Sequence, residues 1–553
     1  MENSFLESFR SSIINNWDNP ALTDYKSTTF TYKDVARKIA KLQIILEKCG
    51  VEKGDKVALV GRNSSNWAIA YVATLSYGAV LVPILHEFTA DGIHHIVNHS
   101  EAKMLFVGEY VWENIDPNQM PHLAAIFSLK DFDILHHRNE NAKYAREHLN
   151  QLFGEKYPNV FKKEDLVFHK EEPEDLALIS YTSGTTSQSK GVMLPYRSMY
   201  SNLLFADGAI PMNAGNKIVV MLPMAHMYGM AFEFIYEFCK GAHLHFLTRT
   251  PSPKVIFDAF AEIKPSLIVS VPLIIEKIFR KQVQPAIGRP AIKALLSVPV
   301  LDNVVTDKIQ KQLSNAFGGN FYEIIIGGAA FNKEADVFFN KMNFRYTVGY
   351  GMTECGPIIT YSDWREHKPF SCGKATPRME IRVDSADPRN IPGEVHTRGE
   401  NVMLGYYKNP DATKAVFTED GWLKTGDLGV IDEDGFLFLK GRSKTMILGP
   451  GGQNIYPEEI EDSLNTMDYV AESLIIDMGD ARLEALIYPD MDATDNAGLS
   501  YNQIEEIMEK HRVDINKSLP AYSQITRVRI TNEEFAKTPK RSIKRYLYQV
   551  NKQ

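Results

Sequence analysis

The feature that most constrains the fold is a repeated alternation of short apolar runs with longer amphipathic stretches before about Gly373. The runs are rich in β-branched and aliphatic residues, as buried strands are. Residues 31–49 place apolar side chains three or four apart and are followed by Gly50, which predicts one of the intervening helices. This alternation favours doubly wound α/β layers. The nine runs are KVALVGR, AVLVPIL, KMLFVG, AAIFSL, LALISYT, KIVVMLP, HLHFL, SLIVSVP and EIIIGG.

The character of the sequence changes after about Gly373. The segments IPGEVHTRG and WLKTGDLGVIDEDGFLFLKGR are rich in turn residues, and DEDG is typical of a hairpin turn between two strands. They predict a β-rich module over residues 373–442. Helical and strand-like patterns mix again afterwards. We therefore predict a large N-terminal domain over residues 1–442 and a separate, smaller α+β domain over residues 443–553.

Charge and cysteine content exclude several classes of protein. The 553 residues include 61 Lys and Arg against 69 Asp and Glu, a net charge of −8, without a long block of like charge. A nucleic acid is therefore not expected as a partner. The four cysteines form no CxxC pair, which argues against a disulfide framework or a thiolate metal site and favours a reducing compartment. The first residues lack the apolar core of a secretory signal, so we expect a cytoplasmic location.

Two apolar segments raise the question of a membrane. Residues 67–85 carry no charge, but Gly78 and Pro83 divide them into a helix-like and a strand-like half, which favours a buried helix-to-strand step over a membrane span. The apolar face over residues 5–17 has few basic neighbours, so we expect a helix docked on the body rather than on a membrane surface. No transmembrane span is predicted. The sequence leaves peripheral membrane contact and oligomeric state open.

The segment over residues 181–191, YTSGTTSQSKG, carries the strongest chemical signal. It follows the strand-like LALIS and precedes a helix expected to begin near Pro195, and a strand, a polar loop and a helix N-terminus together form a common phosphate-binding arrangement. Hydroxyls and backbone N–H groups donate to phosphate oxygens, and a lysine adds positive charge. The segment is not a Walker A loop, and the alternative interpretation is a surface linker. The candidates are Thr182, Ser183, Gly184, Thr185, Thr186 and Lys190.

A second candidate segment, VGYGMTECGP, follows the strand-like FRYTV. Residues 350–354 should therefore lie at the carboxyl end of a strand, where open α/β sheets bind ligands. Glu354 is a candidate Mg²⁺ ligand, since Mg²⁺ takes one or two carboxylates together with phosphate oxygens. The alternative is an ordinary solvated side chain. Asp427 in KTGDLG, a candidate for binding ribose hydroxyls, and Arg442 in FLFLKGR are weaker signals.

Taken together, these segments resemble the acyl-adenylate-forming superfamily of acyl-CoA synthetases, firefly luciferase and peptide-synthetase adenylation domains. YTSGTTSQSKG is similar to the phosphate loop YTSGTTGxPKG, GYGMTE to the GYGxTE motif, and WLKTGDLG to the ribose motif. GRSKTMIL followed by GGQNIYPEEIE is similar to the segment that crosses between domains. The four motifs are in order and cover nearly the whole chain. Ser187 and Ser189 replace the usual Gly and Pro of the loop.

The resemblance implies a two-step ligase. ATP and a carboxylic acid give acyl-AMP and pyrophosphate, and the thiol of coenzyme A then displaces AMP, so ATP, Mg²⁺ and coenzyme A are expected. Lys190, Thr182 and Glu354 would hold and neutralise the phosphates and Mg²⁺. Lys444 would be the hinge of a mobile C-terminal domain, and Gly452 would face the pantetheine channel. The other nucleotide-binding positions that the resemblance implies are Gly328, Ala329, Tyr350, Gly351, Thr353, Asp427 and Arg442.

One position departs from the family pattern. The family's C-terminal lysine stabilises the acid and phosphate during adenylation, and Ser542 stands in its place when the preceding KTP is aligned. Serine cannot supply that positive charge. Lys540 and Lys544 flank Ser542 at a distance of two residues. Two alternatives remain: a neighbouring lysine takes over, or the first step is impaired.

The acid is suggested by LPMAHMYGMAFEFIYEF, which resembles the corresponding stretch of long-chain fatty acyl-CoA synthetases and places His226 near the acyl carboxylate. Its Met, Phe and Tyr content suits an alkyl tunnel, although core helices have similar compositions. Ala225 and His226 stand where peptide-synthetase domains place an aspartate, which argues against amino-acid activation. We predict a long- or medium-chain fatty acid:CoA ligase. The alternatives are an aryl or other carboxylic acid ligase, and an acyl-AMP- or CoA-binding protein with impaired adenylation.

Overall fold

The computed structural model describes residues 4–182, 189–248, 252–287, 289, 292, 301–448, 453–479, 482–539 and 542–549. It confirms the predicted class, because α/β layers and a β-rich part precede a smaller α+β part at the C-terminus. All nine apolar runs contain strands. The domain boundary between residues 442 and 443 stays a prediction.

The largest sheet has eight strands, and its five central strands are parallel. Alternate residues of one central strand enter two different cores: Val57 and Leu59 pack on one face, Ala58 and Val60 on the other. Helices therefore cover both faces, as parallel sheets require. In spatial order the strands are Gly405–Tyr406, Lys190–Pro195, Leu176–Thr182, Val80–Ile84, Lys56–Val60, Met104–Val107, Ala125–Ser128 and Ile134–His137.

Four smaller sheets complete the part of the chain before residue 443. Two consist of Lys217–Val220, His243–Phe246, Pro20–Asp24 and Thr29–Thr31, and of the parallel strands Ile268–Ser270, Ile324–Ile326 and Tyr346–Val348. The other two, in the β-rich part, consist of Tyr350–Gly351, Ile358–Tyr361 and Lys374–Ala375, and of Met379–Asp384, Gly393–Gly399, Leu423–Ile431 and Leu437–Arg442. The predicted DEDG turn joins the last two strands.

The helices follow the signals read from the sequence. Tyr32–Lys48 begins with a capping box at Thr31, and Gly50 follows it with a φ of 74°. The N-terminal helix Phe5–Asn15 is docked on the body through its buried apolar face, as predicted. The other helices of this part are Ser65–Tyr77, Ala90–Ser100, Glu109–Trp112, Glu140–Glu147, Leu149–Lys156, Tyr196–Ala209, Met227–Met230, Tyr236–Cys239, Pro253–Ile263, Pro272–Ile278, Gln284–Ile287, Leu301–Ala316, Lys333–Lys341 and Pro410–Val416.

The uncharged residues 67–85 form a helix and a strand, as predicted. Helix Ser65–Tyr77 ends at Gly78, which adopts a left-handed φ of 92°, and the buried strand Val80–Ile84 follows. No helix in the described part of the chain has the length and apolar character that crossing a bilayer requires.

The C-terminal part has hydrophobic cores of its own. Its three-stranded sheet consists of Val470–Asp477, Leu483–Pro489 and Ile525–Ile530, preceded by the pair Ile447–Leu448 and Asn454–Ile455. Two clusters formed only by residues after 446 pack on this sheet. A core that is closed within one segment is typical of a domain. The helices of this part are Pro457–Leu464, Met491–Asn496 and Tyr501–Asn516.

Candidate active site

The strands on either side of the hydroxyl-rich segment form a β-hairpin, and the second of them is a strand that the sequence analysis did not predict. The helix expected near Pro195 is confirmed. Strand Leu176–Thr182 pairs antiparallel with strand Lys190–Pro195, and Thr182 lies opposite Lys190. The expected helix begins only afterwards, at Tyr196. The consecutive apolar residues 192–194 are the strand signal that was missed.

The strand ends of this hairpin place two of the predicted side chains together. The hydroxyl of Thr182 lies 3.5 Å from the backbone carbonyl of Lys190, and both residues are half-buried. The other predicted loop residues lie outside the described residues: Ser183, Gly184, Thr185 and Thr186.

The segment that contains Glu354 follows the carboxyl edge of the parallel sheet, as predicted. Ile324–Ile326 and Tyr346–Val348 are neighbouring parallel strands, so the residues after each of them lie at the same edge. Gly328 and Ala329 follow the first strand and are exposed, and Gly328 has a φ of 87°. After the second strand, Gly351 is exposed and Thr353 is buried.

Gly351 fits because this turn is tight. A Cβ at Gly351 would lie 2.2 Å from the carbonyl oxygen of Pro357. The turn therefore requires glycine at this position, which is consistent with the glycine of the GYGMTE motif.

Lys190 and Glu354 meet at Tyr406, a residue that the sequence analysis missed. The Tyr406 hydroxyl donates to Glu354 Oε1 at 2.8 Å, and Lys190 Nζ lies 4.9 Å from the centroid of the same ring. Tyr406 reaches this place because strand Gly405–Tyr406 pairs with strand Lys190–Pro195 at the edge of the large sheet. We call Thr182, Lys190, Glu354 and Tyr406 the hairpin centre.

A second polar cluster, the Asp427 centre, consists of Tyr350, Asp427 and Arg442. The Tyr350 hydroxyl donates to Asp427 Oδ2 at 2.6 Å, and Arg442 Nε lies 3.0 Å from Asp427 Oδ1. Asp427 lies within strand Leu423–Ile431, directly opposite Arg442 on the neighbouring strand. The preceding Gly426 has a φ of 75°, where the strand departs from extended geometry.

Burial dominates the electrostatics of the Asp427 centre. It raises the pKa of the Asp427 carboxyl, and the charge of Arg442 and the hydroxyl of Tyr350 partly offset that rise. Burial and the neighbouring carboxylate also raise the pKa of Tyr350 well above its ordinary value, so its hydroxyl stays protonated and donates. The five residues 350–354 connect the two centres, because Tyr350 belongs to one and Glu354 to the other. The first centre contains a cation and a carboxylate, and the second contains a buried, hydrogen-bonded acid.

Comparisons with known proteins agree with this arrangement. The profile of the family described as AMP-binding enzyme matches residues 9–407, nearly three quarters of the chain. The chain belongs to the AMP-binding enzyme family. The family and the predicted adenylate-forming fold are thereby confirmed.

The AMP-binding enzyme has relatives among acid:CoA ligases. The Long-chain-fatty-acid–CoA ligase FadD15 of Mycobacterium bovis is 29% identical over 85% of this chain and 79% of its own length. Two solved structures share the fold. ATP-bound MatB of Rhodopseudomonas palustris has a TM-score of 0.74 at 21% identity and covers 98% of both chains. The anthranilate CoA ligase AuaEII in complex with anthranoyl-AMP has a TM-score of 0.76 at 18% identity, over 99% of this chain and 96% of its own.

The donor set of the hairpin centre fits Mg²⁺. Among the residues that the structure describes, no three His, Cys, Asp or Glu side chains gather into a metal-binding group. Mg²⁺ beside a polyphosphate needs only one or two carboxylates, because phosphate and water supply the remaining oxygens. Glu354 is half-buried and uses Oε1 for Tyr406. AMP-binding CoA ligases use ATP, Mg²⁺ and coenzyme A, so the predicted cofactor set agrees with the family.

His226 lies at the start of the segment predicted to bind the acid. It caps helix Met227–Met230, which continues through the π-helical Ala231–Ile235 into Tyr236–Cys239. The buried carboxylate of Glu233 accepts from the backbone N–H groups of Met221 and Leu222, at 3.0 and 2.8 Å. This contact joins the π-helical turn to the residues after strand Lys217–Val220.

The structure describes three of the five C-terminal residues that the sequence analysis singled out. Lys444 is exposed between strands Leu437–Arg442 and Ile447–Leu448. Ser542 is exposed, and its backbone carbonyl accepts from the N–H of Thr538 at 2.8 Å. Lys544 is half-buried and follows in the same segment. Gly452 and Lys540 lie outside the described residues.

Proposed function

We propose that the protein is a long- or medium-chain fatty acid:CoA ligase that forms AMP. The observation that carries the proposal is the meeting of Lys190 and Glu354 at Tyr406, next to Thr182. A cation, a carboxylate and a hydroxyl that lie close together are what a triphosphate with Mg²⁺ requires. The family and the fold support ATP as the substrate that binds here.

In the first step the carboxylate of the acid attacks the α-phosphorus of ATP, and pyrophosphate leaves with the displaced electron pair. Lys190 and the loop donors would neutralise the charge that develops on pyrophosphate. Glu354 and Thr182 would hold Mg²⁺, which when bound neutralises phosphate charge. The Asp427 centre would grip the ribose, since the carboxylate accepts hydrogen bonds from hydroxyls. Gly328 and Ala329 would border the adenine and acyl site.

In the second step the thiolate of CoA attacks the acyl carbon, and AMP leaves. We propose that Lys444 is the hinge about which residues 443–553 rotate between the steps, and that Gly452 then faces the pantetheine. The exposed place of Lys444 between two strands supports a hinge, because hinge residues are found where one element ends and the next begins.

A fatty acid is favoured by the relative FadD15, whose name states long-chain fatty acids. The segment after His226 also supports it, because residues 227–238 are all buried and include five aromatic rings. The test is pyrophosphate exchange into ATP with acids from C6 to C18 and with benzoate and anthranilate, followed by AMP release on adding CoA. We expect acceleration by C10 to C18 acids. A response to the aryl acids alone would replace this substrate class with aryl acids.

Ser542 supports a second candidate, an acyl-AMP- or CoA-binding protein with weak adenylation. Of the two lysines that could replace the missing charge, Lys544 lies within the described residues. Its backbone N–H donates to the carbonyl of Ala536 at 2.8 Å, which fixes its backbone. Exchange rates of Lys540→Ala and Lys544→Ala proteins test the substitution. We expect one of them to fall by about 10²-fold, as when a charge-stabilising donor is removed. Full activity in both variants, and in the double variant, would exclude a substitute lysine.

A further inference from the structure

We propose that Tyr406 is a positioning residue that holds Lys190 and Glu354 next to each other while preventing the two charges from pairing. The inference rests on the proposed function, because that function gives the two side chains to phosphate and Mg²⁺. Neither the motifs nor their spacing singled out Tyr406. Its role follows from contacts that only the folded chain makes.

The backbone around Tyr406 is fastened to both elements of the hairpin centre. The N–H of Met403 donates to the carbonyl of Glu354 at 2.9 Å, and the N–H of Tyr407 donates to the carbonyl of Gly191 at 2.7 Å. Residues 403–407 thus connect the Glu354 turn with the hairpin. The segment cannot shift relative to either element without breaking its hydrogen bond to that element.

Two further features fix Tyr406 itself. Its own N–H donates to Thr413 Oγ1 at 2.9 Å. The preceding Gly405 has a φ of 141°, and a Cβ there would lie 2.6 Å from the Thr413 side chain. This close approach allows glycine only, so the sequence at Gly405 is adapted to the place of Tyr406.

The side chain of Tyr406 contacts each charge through a different part. Its hydroxyl donates to Glu354, and the face of its ring lies beneath the Lys190 ammonium. The residue is only 7% exposed.

A neutral spacer has a purpose at this place. A lysine and a carboxylate that pair with each other are each partly neutralised, and a ligand must break that pair before it binds. Tyr406 is neutral, so its hydrogen bond to Glu354 and its ring contact with Lys190 neutralise neither charge. Lys190 therefore remains available for phosphate and Glu354 for Mg²⁺.

The test is calorimetric titration of the full chain with ATP, with Mg²⁺ and again with EDTA, which needs no turnover. Tyr406→Phe keeps the ring beneath Lys190 but removes the hydroxyl. We expect ATP affinity in EDTA to be unchanged and the gain in affinity from Mg²⁺ to fall by about 10-fold, as when a partner of a metal ligand is lost. Tyr406→Leu, which also removes the ring, should weaken ATP binding under both conditions.

Two controls separate positioning from a general structural role. Tyr407→Phe changes the neighbouring tyrosine, whose hydroxyl contacts Glu101 at 3.2 Å, and should behave like the wild type. In a Glu354→Gln protein, Tyr406→Phe should have no further effect on the Mg²⁺ gain, because the two residues act through one contact. An equal loss for Tyr406→Phe with and without Mg²⁺, or an additive loss in the double variant, overturns the proposal.

The same titrations separate this inference from the proposed function. Wild-type binding of ATP with a Mg²⁺ gain that depends on Tyr406, without acid-dependent exchange, supports the inference and contradicts the ligase. Exchange together with a Tyr406→Phe protein that keeps the full Mg²⁺ gain contradicts only the inference. Failure of the wild type to bind ATP under either condition overturns both.

Discussion

The two polar centres, one containing Tyr350 and the other Glu354, differ in whether their charged side chains pair with each other. In the Asp427 centre, the carboxylate and Arg442 form a direct ion pair with an N–O distance of 3.0 Å. In the hairpin centre, Lys190 and Glu354 each contact the neutral Tyr406. A neutral ribose needs only an oriented acceptor, and an ion pair orients one. A triphosphate with Mg²⁺ needs protein charges that are not already neutralised. We therefore expect paired charges where the ligand group is neutral and separate charges where it is charged.

The largest effect should come from removing the cation of the hairpin centre. We expect Lys190→Ala to lower the rate of pyrophosphate exchange by about 10²- to 10³-fold, because the variant loses the positive charge that stabilises the leaving phosphate. Lys190→Arg is the matched control, since it keeps the charge and should retain more of the rate. A rate within a few-fold of the wild type in Lys190→Ala would remove the hairpin centre from the comparison.

Breaking the ion pair of the Asp427 centre should raise KM for ATP and leave kcat less affected. Asp427→Asn removes the charge that Arg442 and Tyr350 contact, and hydrogen bonds to charged groups correspond to about a 10- to 100-fold change. The control is Asp420→Asn, on an exposed pair with Arg382 in the same β-rich part. If kcat falls and KM does not, Asp427 acts on the transition state and the contrast between the centres is wrong.

The partner of Asp427 should contribute less. The Arg442 side chain is 60% exposed, and exposed ion pairs contribute little because water screens them. We expect Arg442→Ala to raise KM for ATP by roughly two- to fivefold. An effect as large as that of Asp427→Asn would show that the pair acts as a unit, and a kinetic comparison of the double variant with each single variant would measure the coupling.

The smallest effect concerns pH. Burial raises the pKa of Asp427, so this carboxylate is protonated at a higher pH than an ordinary aspartate, and its protonated form is a weaker acceptor. ATP affinity should therefore fall as pH falls, by about twofold between pH 7 and 5. Tyr406 has its pKa raised as well, so it should add no loss up to pH 9. Calorimetry with Asp427→Asn should show no acid loss, and an equal loss in that variant would contradict the assignment.

The sequence by itself determined the local structure and the identity of the parts. Strand and helix patterns are set by period and capping within short windows, so the nine runs, the helix after Thr31 and the break at Gly78 were predicted correctly. The motifs likewise identified the residues of both centres except Tyr406, because phosphate-binding hydroxyls and a carboxylate at a strand end are local signals.

The tertiary structure decided which of these segments lie next to each other and which side chains form the contacts between them. Strand Lys190–Pro195 has a local hairpin partner, but its pairing with Gly405–Tyr406 joins segments that are distant in sequence. That pairing follows from the assembled sheet rather than from the strand's own residues. The same pairing brings the Tyr406 side chain between Lys190 and Glu354, and the pairing of Leu423–Ile431 with Leu437–Arg442 sets Asp427 opposite Arg442. Contacts between distant segments depend on packing energies that no short window of sequence contains.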